Sequence, residues 1–396
     1  MANRYRMYPD KEGNIVMDKH CSDARYIKNL ALEQAKMYRP EWGPTPNNAM
    51  RSLQLTEARE AFAWLREGSA SVQQQALREF NQAMKNFFSG KAGFPTWWVK
   101  GRDESFCIRD VQVKRLNTKW SAIDVPKCGY VKFRTSRPLP AKYGMAHVTK
   151  DRSARWHVSF TAEQPQIARV STLRMIGIDR GVSTTIATSD KQMFRIPTCP
   201  KLIMAIMLLS QTRSRQRKGS ARGAGTRLAI AKLWARITDR RNDWIEKMTT
   251  WLVTNYDVIV LENLPVKNMV HRAKPKEDPN KPGSYIPNGA AAKSGLNRVI
   301  LQSCWSMFLT RLQQKAAVSG VIVILVNPQY TSQECRKCHH TASENRKSQA
   351  EFRCVSCGHA NHADINAAEN ILDRGLVVLY SNHEPLQSEG LGRMAA

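Results

Sequence analysis

The chain is poor in acidic residues, with 33 against 61 lysines and arginines, for a formal net charge of +28 in 396 residues. A compact monomer carrying that surplus repels itself unless a polyanion neutralises it, which makes nucleic acid the natural partner and an anionic membrane surface its rival. Long apolar runs are absent as well. The longest, Leu202–Leu209 and Val321–Val326, fall short of the roughly eighteen residues a membrane helix needs and suit core elements, so no membrane partner is expected. The opening MANRYRMYPDKEG has no apolar segment of the secretory kind, and the cytoplasm is the expected location. No repeat period appears. Five of the nine cysteines (Cys21, Cys107, Cys128, Cys199, Cys304) are scattered singly, as reduced core thiols are in that compartment. A length of 396 residues with 42% hydrophobic content supports two to four domains and excludes a disordered tail.

The most informative stretch is CRKCHHTASENRKSQAEFRCVSCGHANHADINAAENIL, beginning at Cys335. Cys335/Cys338 and Cys354/Cys357 form two CxxC pairs separated by fifteen residues. At this spacing two knuckle turns bring four thiolates around one tetrahedral zinc. His339, His340, His359 and His362 lie near enough to compete as ligands.

Three acids share a different pattern. Met175–Thr188 reads as an apolar strand ending at Asp179, a Gly-containing turn and a second strand, and YDVIVL at 256–261 is a buried-strand run that ends at Glu262. Asp364 opens a stretch, INAAENIL, whose apolar positions recur at helical spacing. Each acid has an ordinary alternative, a turn aspartate bonded to backbone amides or a carboxylate complementing a helix dipole. Taken together, two strand ends and one helix start in a β, α, β order suggest convergence. Carboxylates so gathered repel unless divalent cations lie between them, and magnesium is the expected occupant. Two such ions about 4 Å apart activate water and stabilise the leaving oxygen in phosphodiester hydrolysis.

Elsewhere, residues 3–9 read as a strand, and Asp23–Met37 and Leu55–Phe88 as helices. In the second of these Ala76, Phe80, Ala83 and Phe87 form a core stripe, with Val72, Met84 and Phe88 beside it. Gly90–Arg109 interleaves basic residues with Phe94, Trp97 and Trp98, a combination that suits phosphates and stacked bases, or else a core cap. Between Val111 and Glu163 the period shifts to two, predicting a small antiparallel sheet or barrel into which the helices are inserted. Gln211–Arg241 carries ten basic residues, Arg213, Arg215, Arg217, Lys218, Arg222 and Arg227 among them, against the single acid Asp239. Beyond a GSARGAG break, Ile230, Trp234, Ile237, Trp244, Met248 and Trp251 mark one face of a long helix. The bias to one sign predicts phosphate contact. Residues 273–294 read as a flexible loop, and Leu296–Val318 as one amphipathic helix.

GIDRG around Asp179, LENLPVKNM around Glu262, and TSQECRKC continuing to FRCVSCGHANHADINAAENIL resemble the three split RuvC motifs and zinc ribbon of TnpB, the nuclease of IS200/IS605-type transposons. Type V CRISPR effectors share this arrangement. The likeness extends through AWLREGSASVQQQALREFNQAMKNFFSGKAGFP, which is similar to the family's recognition helices. It implies an α/β multidomain chain: a wedge β-barrel (1–14 and 111–170) carrying a helical recognition domain (15–110), a RuvC/RNase H-like nuclease domain (171–330 and 361–385), a zinc ribbon at 331–360 and a tail at 386–396. It further implies a metal-dependent endodeoxyribonuclease that takes a guide RNA and cuts double-stranded DNA beside a short motif read by the protein. Asp179, Glu262 and Asp364 would be the catalytic acids with two Mg2+ ions, and Cys335, Cys338, Cys354 and Cys357 the structural Zn2+ ligands. Trp97, Trp98 and the six basic residues named above are the candidate nucleic-acid contacts. His339 stands where the first knuckle usually has glycine. Other readings remain open at this point: a compact CRISPR effector, a nuclease-dead guided binder, an unguided RuvC-like nuclease, or a zinc-ribbon nucleic-acid-binding protein. The oligomeric state is left open too.

Overall fold

The computed structural model describes residues 4–161 and 167–381, apart from positions 40, 42, 44, 45 and 168. The expected tail at 386–396 lies outside them. Two compact units emerge, Met1–Gln164 with Met204–Ala235 and Pro165–Ile203 with Arg236–Ala396. No helix among the described residues is long and apolar enough to cross a membrane.

In the first unit, β1 (Arg4–Tyr8) leads into helices α1 (Lys11–Lys36), α2 (Asn48–Ala61), α3 (Ala63–Arg66) and α4 (Ala70–Phe88). Strands β2 (Ser105–Ile108), β3 (Val113–Arg115), β4 (Trp120–Val125), β5 (Gly129–Arg134), β6 (Ala146–Lys150) and β7 (Trp156–Phe160) follow. They form one seven-stranded sheet in the order β2-β6-β7-β1-β5-β4-β3, antiparallel throughout. Period-two patterning explains the register: in β5, Val131 and Phe133 are buried while Tyr130, Lys132 and Arg134 face outward. β1 lies in the middle of the sheet although all four helices separate it in sequence from β2. Tyr5, Phe106, Phe133, Trp156 and Phe160 make the sheet's share of the core, and Met17 and Ile27 of α1 with Val72 and Phe80 of α4 make the helices' share.

Over Leu55–Phe88, where the sequence pattern is helical, the chain turns out of α2 at Phe62, which is extended, passes through the short α3 and restarts at Ser69. The Ser69 hydroxyl caps α4 by accepting from the Val72 amide. Arg59 holds the intervening loop through the Leu65 and Gly68 carbonyls. The expected core stripe is buried at Ala76 and Phe80 and fades toward Phe88, which is 77% exposed.

The second unit carries β8 (Met175–Asp179), β9 (Ile186–Thr188) and β10 (Met193–Phe194), then α5 (Pro200–Ser214) and α6 (Ala221–Asn255), which run through the division between units. β11 (Val258–Glu262), the short α7 (Val266–Met269), a hairpin β12 (Lys276–Glu277) and β13 (Tyr285–Ile286), α8 (Ala290–Gln302), α9 (Trp305–Ser319) and β14 (Ile322–Val326) come next. β15 (Glu351–Arg353), β16 (Ala360–His362) and α10 (Ala363–Ser381) close it. The main sheet runs β10-β9-β8-β11-β14, with β8, β11 and β14 parallel. β11 is buried along its whole length because both faces are covered. Ile259 and Leu261 pack toward α6 and α9 with Leu252, Phe308 and Leu312, while Val258 and Val260 pack toward Ile371 of α10.

Three sequence expectations are corrected here. The helix expected over Leu296–Val318 is two, broken at Cys304, whose left-handed backbone (φ 55) re-aims Trp305 and Phe308 at the core. The loop expected at 273–294 contains the β12–β13 hairpin and the start of α8. Leu202–Leu209 is core only in part: Ile206 is buried, but Met204, Met207 and Leu208 are 66%, 59% and 60% exposed on α5.

Two glycines let α10 lie close on the sheet. A Cβ at Gly177 of β8 would collide with the Ala368 carbonyl and sit 2.7 Å from the Leu372 nitrogen, and one at Gly375 would collide with Val260 of β11. Gly177→Ala is therefore expected to destabilise the protein by about 1–3 kcal/mol through overpacking. A shift of the urea midpoint to lower concentration checks this, and an unchanged midpoint contradicts it.

Candidate active site and metal centre

β8 and β11 run side by side in parallel, Ile178 opposite Leu261, so Asp179 and Glu262 leave the sheet at the same edge. This C-terminal edge is where open α/β sheets place ligands. Asp364 comes from the first turn of α10, whose seat on Gly177 brings its N-terminal end to that edge. All three acids line one cavity of 260 Å³, together with Arg180, Thr331 and Arg346. Taking one oxygen from each, the three acids do not all fall within 4.8 Å of one another.

Electrostatics report the crowding. Burial, and then the charges of Glu262 and Asp364, push the Asp179 carboxyl up to about 7, against an opposing pull from Arg346. Burial also raises Glu262, opposed by the Thr331 hydroxyl, Arg180 and Arg374. Thr331 donates to Glu262 Oε1 at 2.6 Å, and its own carbonyl accepts from Asn370 of α10 at 3.0 Å. Arg180 is buried and donates to the Glu262 carbonyl. Arg346 Nη2 stands 3.2 Å from Asp364 Oδ1.

Beside this cavity the two knuckles mirror each other. His339 N donates to Cys335 O at 2.9 Å and Gly358 N to Cys354 O at 3.0 Å, each closing its turn. The Sγ atoms of Cys335 and Cys357 are 3.7 Å apart and those of Cys338 and Cys354 3.5 Å. Disulfides would need about 2.05 Å, whereas a zinc–sulfur bond of about 2.3 Å gives a tetrahedral edge of about 3.8 Å. The four sulfurs are thus the group that fits one ion, and the neighbouring histidines stand outside it. His339 takes a left-handed backbone (φ 57) like its counterpart Gly358 (φ 71), so the histidine carries a strain glycine would not. Buried Asn345 joins the knuckles: its amide donates to the Gln333 and His340 carbonyls, and its oxygen accepts from Val355 N.

The candidate nucleic-acid contacts divide. Trp98 packs against the core with its backbone held by Asn29, while Trp97 is 42% exposed with Lys36 Nζ 4.7 Å from its ring centre. Arg213, Arg215, Arg217, Lys218, Arg222 and Arg227 are exposed at the α5–α6 turn, and four of them (Arg213, Arg217, Lys218, Arg227) line a cavity of 310 Å³. Sequence reasoning missed Thr331, Arg346 and Asn370. The one available signal was the i, i+4 pair Asn366/Asn370 inside an otherwise apolar helical face, where both amides bind the Glu334 carbonyl.

An α/β chain with acids at adjacent parallel strand ends, beside a four-cysteine knuckle pair, is matched by proteins of one class. Family models described as "Probable transposase" and "Cas12f1-like, TNB domain" match residues 157–273 and 305–371. The Cas12f1 chain of a cryo-EM complex with guide RNA and target DNA aligns with a TM-score of 0.54 at 16% identity, covering 91% of this chain and 83% of that one. An Escherichia coli K12 protein named as an RNA-guided DNA endonuclease, InsQ, is 32% identical over 96% of this chain and 93% of its own length. A Streptomyces pristinaespiralis protein of the same description is 28% identical over 95% and 89%. The chain belongs to the TnpB family of IS200/IS605-type transposons.

The raised carboxyls carry a sign. Unfolded aspartate and glutamate titrate near 4. Between there and about 7 the folded, ion-free protein holds protons that the unfolded chain has released, so its stability falls as pH rises through that window. In chelator, urea midpoints should drop from about pH 5 to about pH 7.5, and Asp179→Asn should flatten the drop. Equal slopes for the two proteins would contradict this.

Proposed function

We propose that the chain is an RNA-guided DNA endonuclease: a bound guide RNA pairs with one strand of a DNA target, and the cleft lined by Asp179, Glu262 and Asp364 hydrolyses phosphodiester bonds. The observation that carries the reading is the arrival of these three acids, 83 and 102 residues apart in sequence, in one cavity. In this reading the second unit contains a RuvC/RNase H-like nuclease domain with the knuckles as a zinc ribbon. The seven-stranded sheet serves as the wedge domain, with α1–α4 as its recognition insertion. The position of those helices in sequence between β1 and β2 supports the insertion.

The donor sets suit the ions this requires. Magnesium held by the three carboxylates and the substrate phosphate would, when bound, polarise the scissile phosphodiester and lower the cost of generating the attacking hydroxide. The protein's own residues set the stage. Thr331 fixes the Glu262 carboxylate through its hydroxyl. Arg346 holds Asp364 and balances part of the negative charge. Arg180, anchored on the Glu262 carbonyl, keeps a guanidinium in the cleft where phosphate would enter. Zinc held by Cys335, Cys338, Cys354 and Cys357 would fix the ribbon that delivers Arg346.

Alanine at Asp179, Glu262 or Asp364 should reduce cleavage of a guide-matched DNA by at least about 10³-fold, the scale set by losing a main electrostatic contributor, while leaving guide RNA binding near normal. Retained cutting in these variants would remove the proposed site. Neutralising Arg213, Arg215 and Arg217 together should weaken nucleic-acid binding and flatten the log K versus log salt slope by about 2–3. An unchanged slope would return that turn to an ordinary solvated surface.

A further inference from the structure

We propose that Cys107, His147 and Glu79 form a second transition-metal site in the seven-stranded-sheet unit, separate from the four-cysteine knuckles and suited to zinc.

Cys107 of β2 and His147 of β6 are directly opposed in the antiparallel ladder, so the two side chains share a face of the sheet. Glu79 reaches them from α4. One donor atom from each of the three lies within 4.8 Å of the others, the only such group among the described residues besides the knuckle cysteines. His147 Nε2 is 3.5 Å from Cys107 Sγ. A tetrahedral ion with a sulfur bond of about 2.3 Å and a nitrogen bond of about 2.0–2.1 Å sets these ligands about 3.5 Å apart. The present ring position also brings Nδ1 to 2.8 Å from the sulfur. The ring is exposed and free to turn either nitrogen to an ion.

Glu79 supplies the second observation. One of its oxygens, Oε2, is paired with Lys28 Nζ, while the other, Oε1, is buried with no strong hydrogen-bond donor, the weakly donating Cys107 thiol being the group beside the carboxylate. A buried carboxylate oxygen left unsatisfied is costly and calls for a donor or a cation. Lys28 is itself buried, with its ammonium 5.8 Å from the centre of the Trp98 ring, so it holds the carboxylate in place as hydrogen-bonded partners do for metal-binding groups.

Thiolate, imidazole and carboxylate are zinc's own donor types, and the sulfur and nitrogen disfavour magnesium or calcium. The exposure of His147 leaves water to complete the tetrahedron. Binding balances simply: the Cys107 S–H bond breaks, a sulfur–zinc bond forms and the proton leaves to solvent. The bound ion would cross-link α4 to β2 and β6.

The test uses the full chain, stripped with chelator, reloaded with zinc alone and freed of excess before metal and protein are assayed. Wild type should retain roughly one more zinc per chain than either Cys107→Ser or His147→Ala. Cobalt reloading should show a thiolate-to-cobalt absorption in a Cys338→Ser, Cys357→Ser background that disappears when Cys107→Ser is added. His147→Ala keeps the outcome decisive if Cys107→Ser folds poorly, because the imidazole is on the surface. Equal zinc retention by wild type and His147→Ala, or no cobalt–thiolate absorption in that background, would overturn the site.

Discussion

Repulsion of Asp179 by Glu262 and Asp364 is the constraint around which the second unit is built. Burial disfavours the Asp179 and Glu262 carboxylates, and at Asp179 the charges of Glu262 and Asp364 add to it, driving that carboxyl up to about 7. An arrangement of that kind persists only because the scaffold is rigid. β8 and β11 are covered on both faces, and α10 is held within van der Waals contact of them by the missing side chains of Gly177 and Gly375. The helix that completes the cleft is thereby fixed by packing on one side and by amide hydrogen bonds to the chain before the knuckles on the other.

The knuckles do more than hold themselves together. Arg346 lies between the two CxxC pairs and meets Asp364, and Arg374 of α10 returns to Glu334 at 2.6 Å just ahead of the first pair. The four-cysteine turns and the three-acid cavity are therefore mechanically joined, and whatever orders one supports the other. His339 in a left-handed conformation shows that this turn is imposed by its surroundings at some local cost.

Features encoded locally were legible in the sequence. Strand ends at Asp179 and Glu262, the helix start at Asp364 and the paired cysteines all announce themselves through period, punctuation or spacing. Helix continuity was less legible. Nothing at Ser303–Cys304 resembles a glycine or proline stop, yet the chain breaks there because Trp305 and Phe308 must face the core. The apolar run at Leu202–Leu209 reads as core by composition, but α5 leaves much of it in solvent. Thr331, Arg346 and Gly375 had no signal at all, since each acts on a residue that only the tertiary fold brings near. Of the two tryptophans, Trp98 took the core and Trp97 the surface, a choice set by Asn29 gripping the Trp98 backbone.

The most direct measurement is the position of manganese, located by anomalous scattering, in crystals of the chain bound to its RNA and an uncut DNA target. The account predicts ions between Asp179, Glu262 and Asp364, in contact with the DNA backbone. Manganese found elsewhere, with that cleft free of ions while DNA is seated in it, would contradict it.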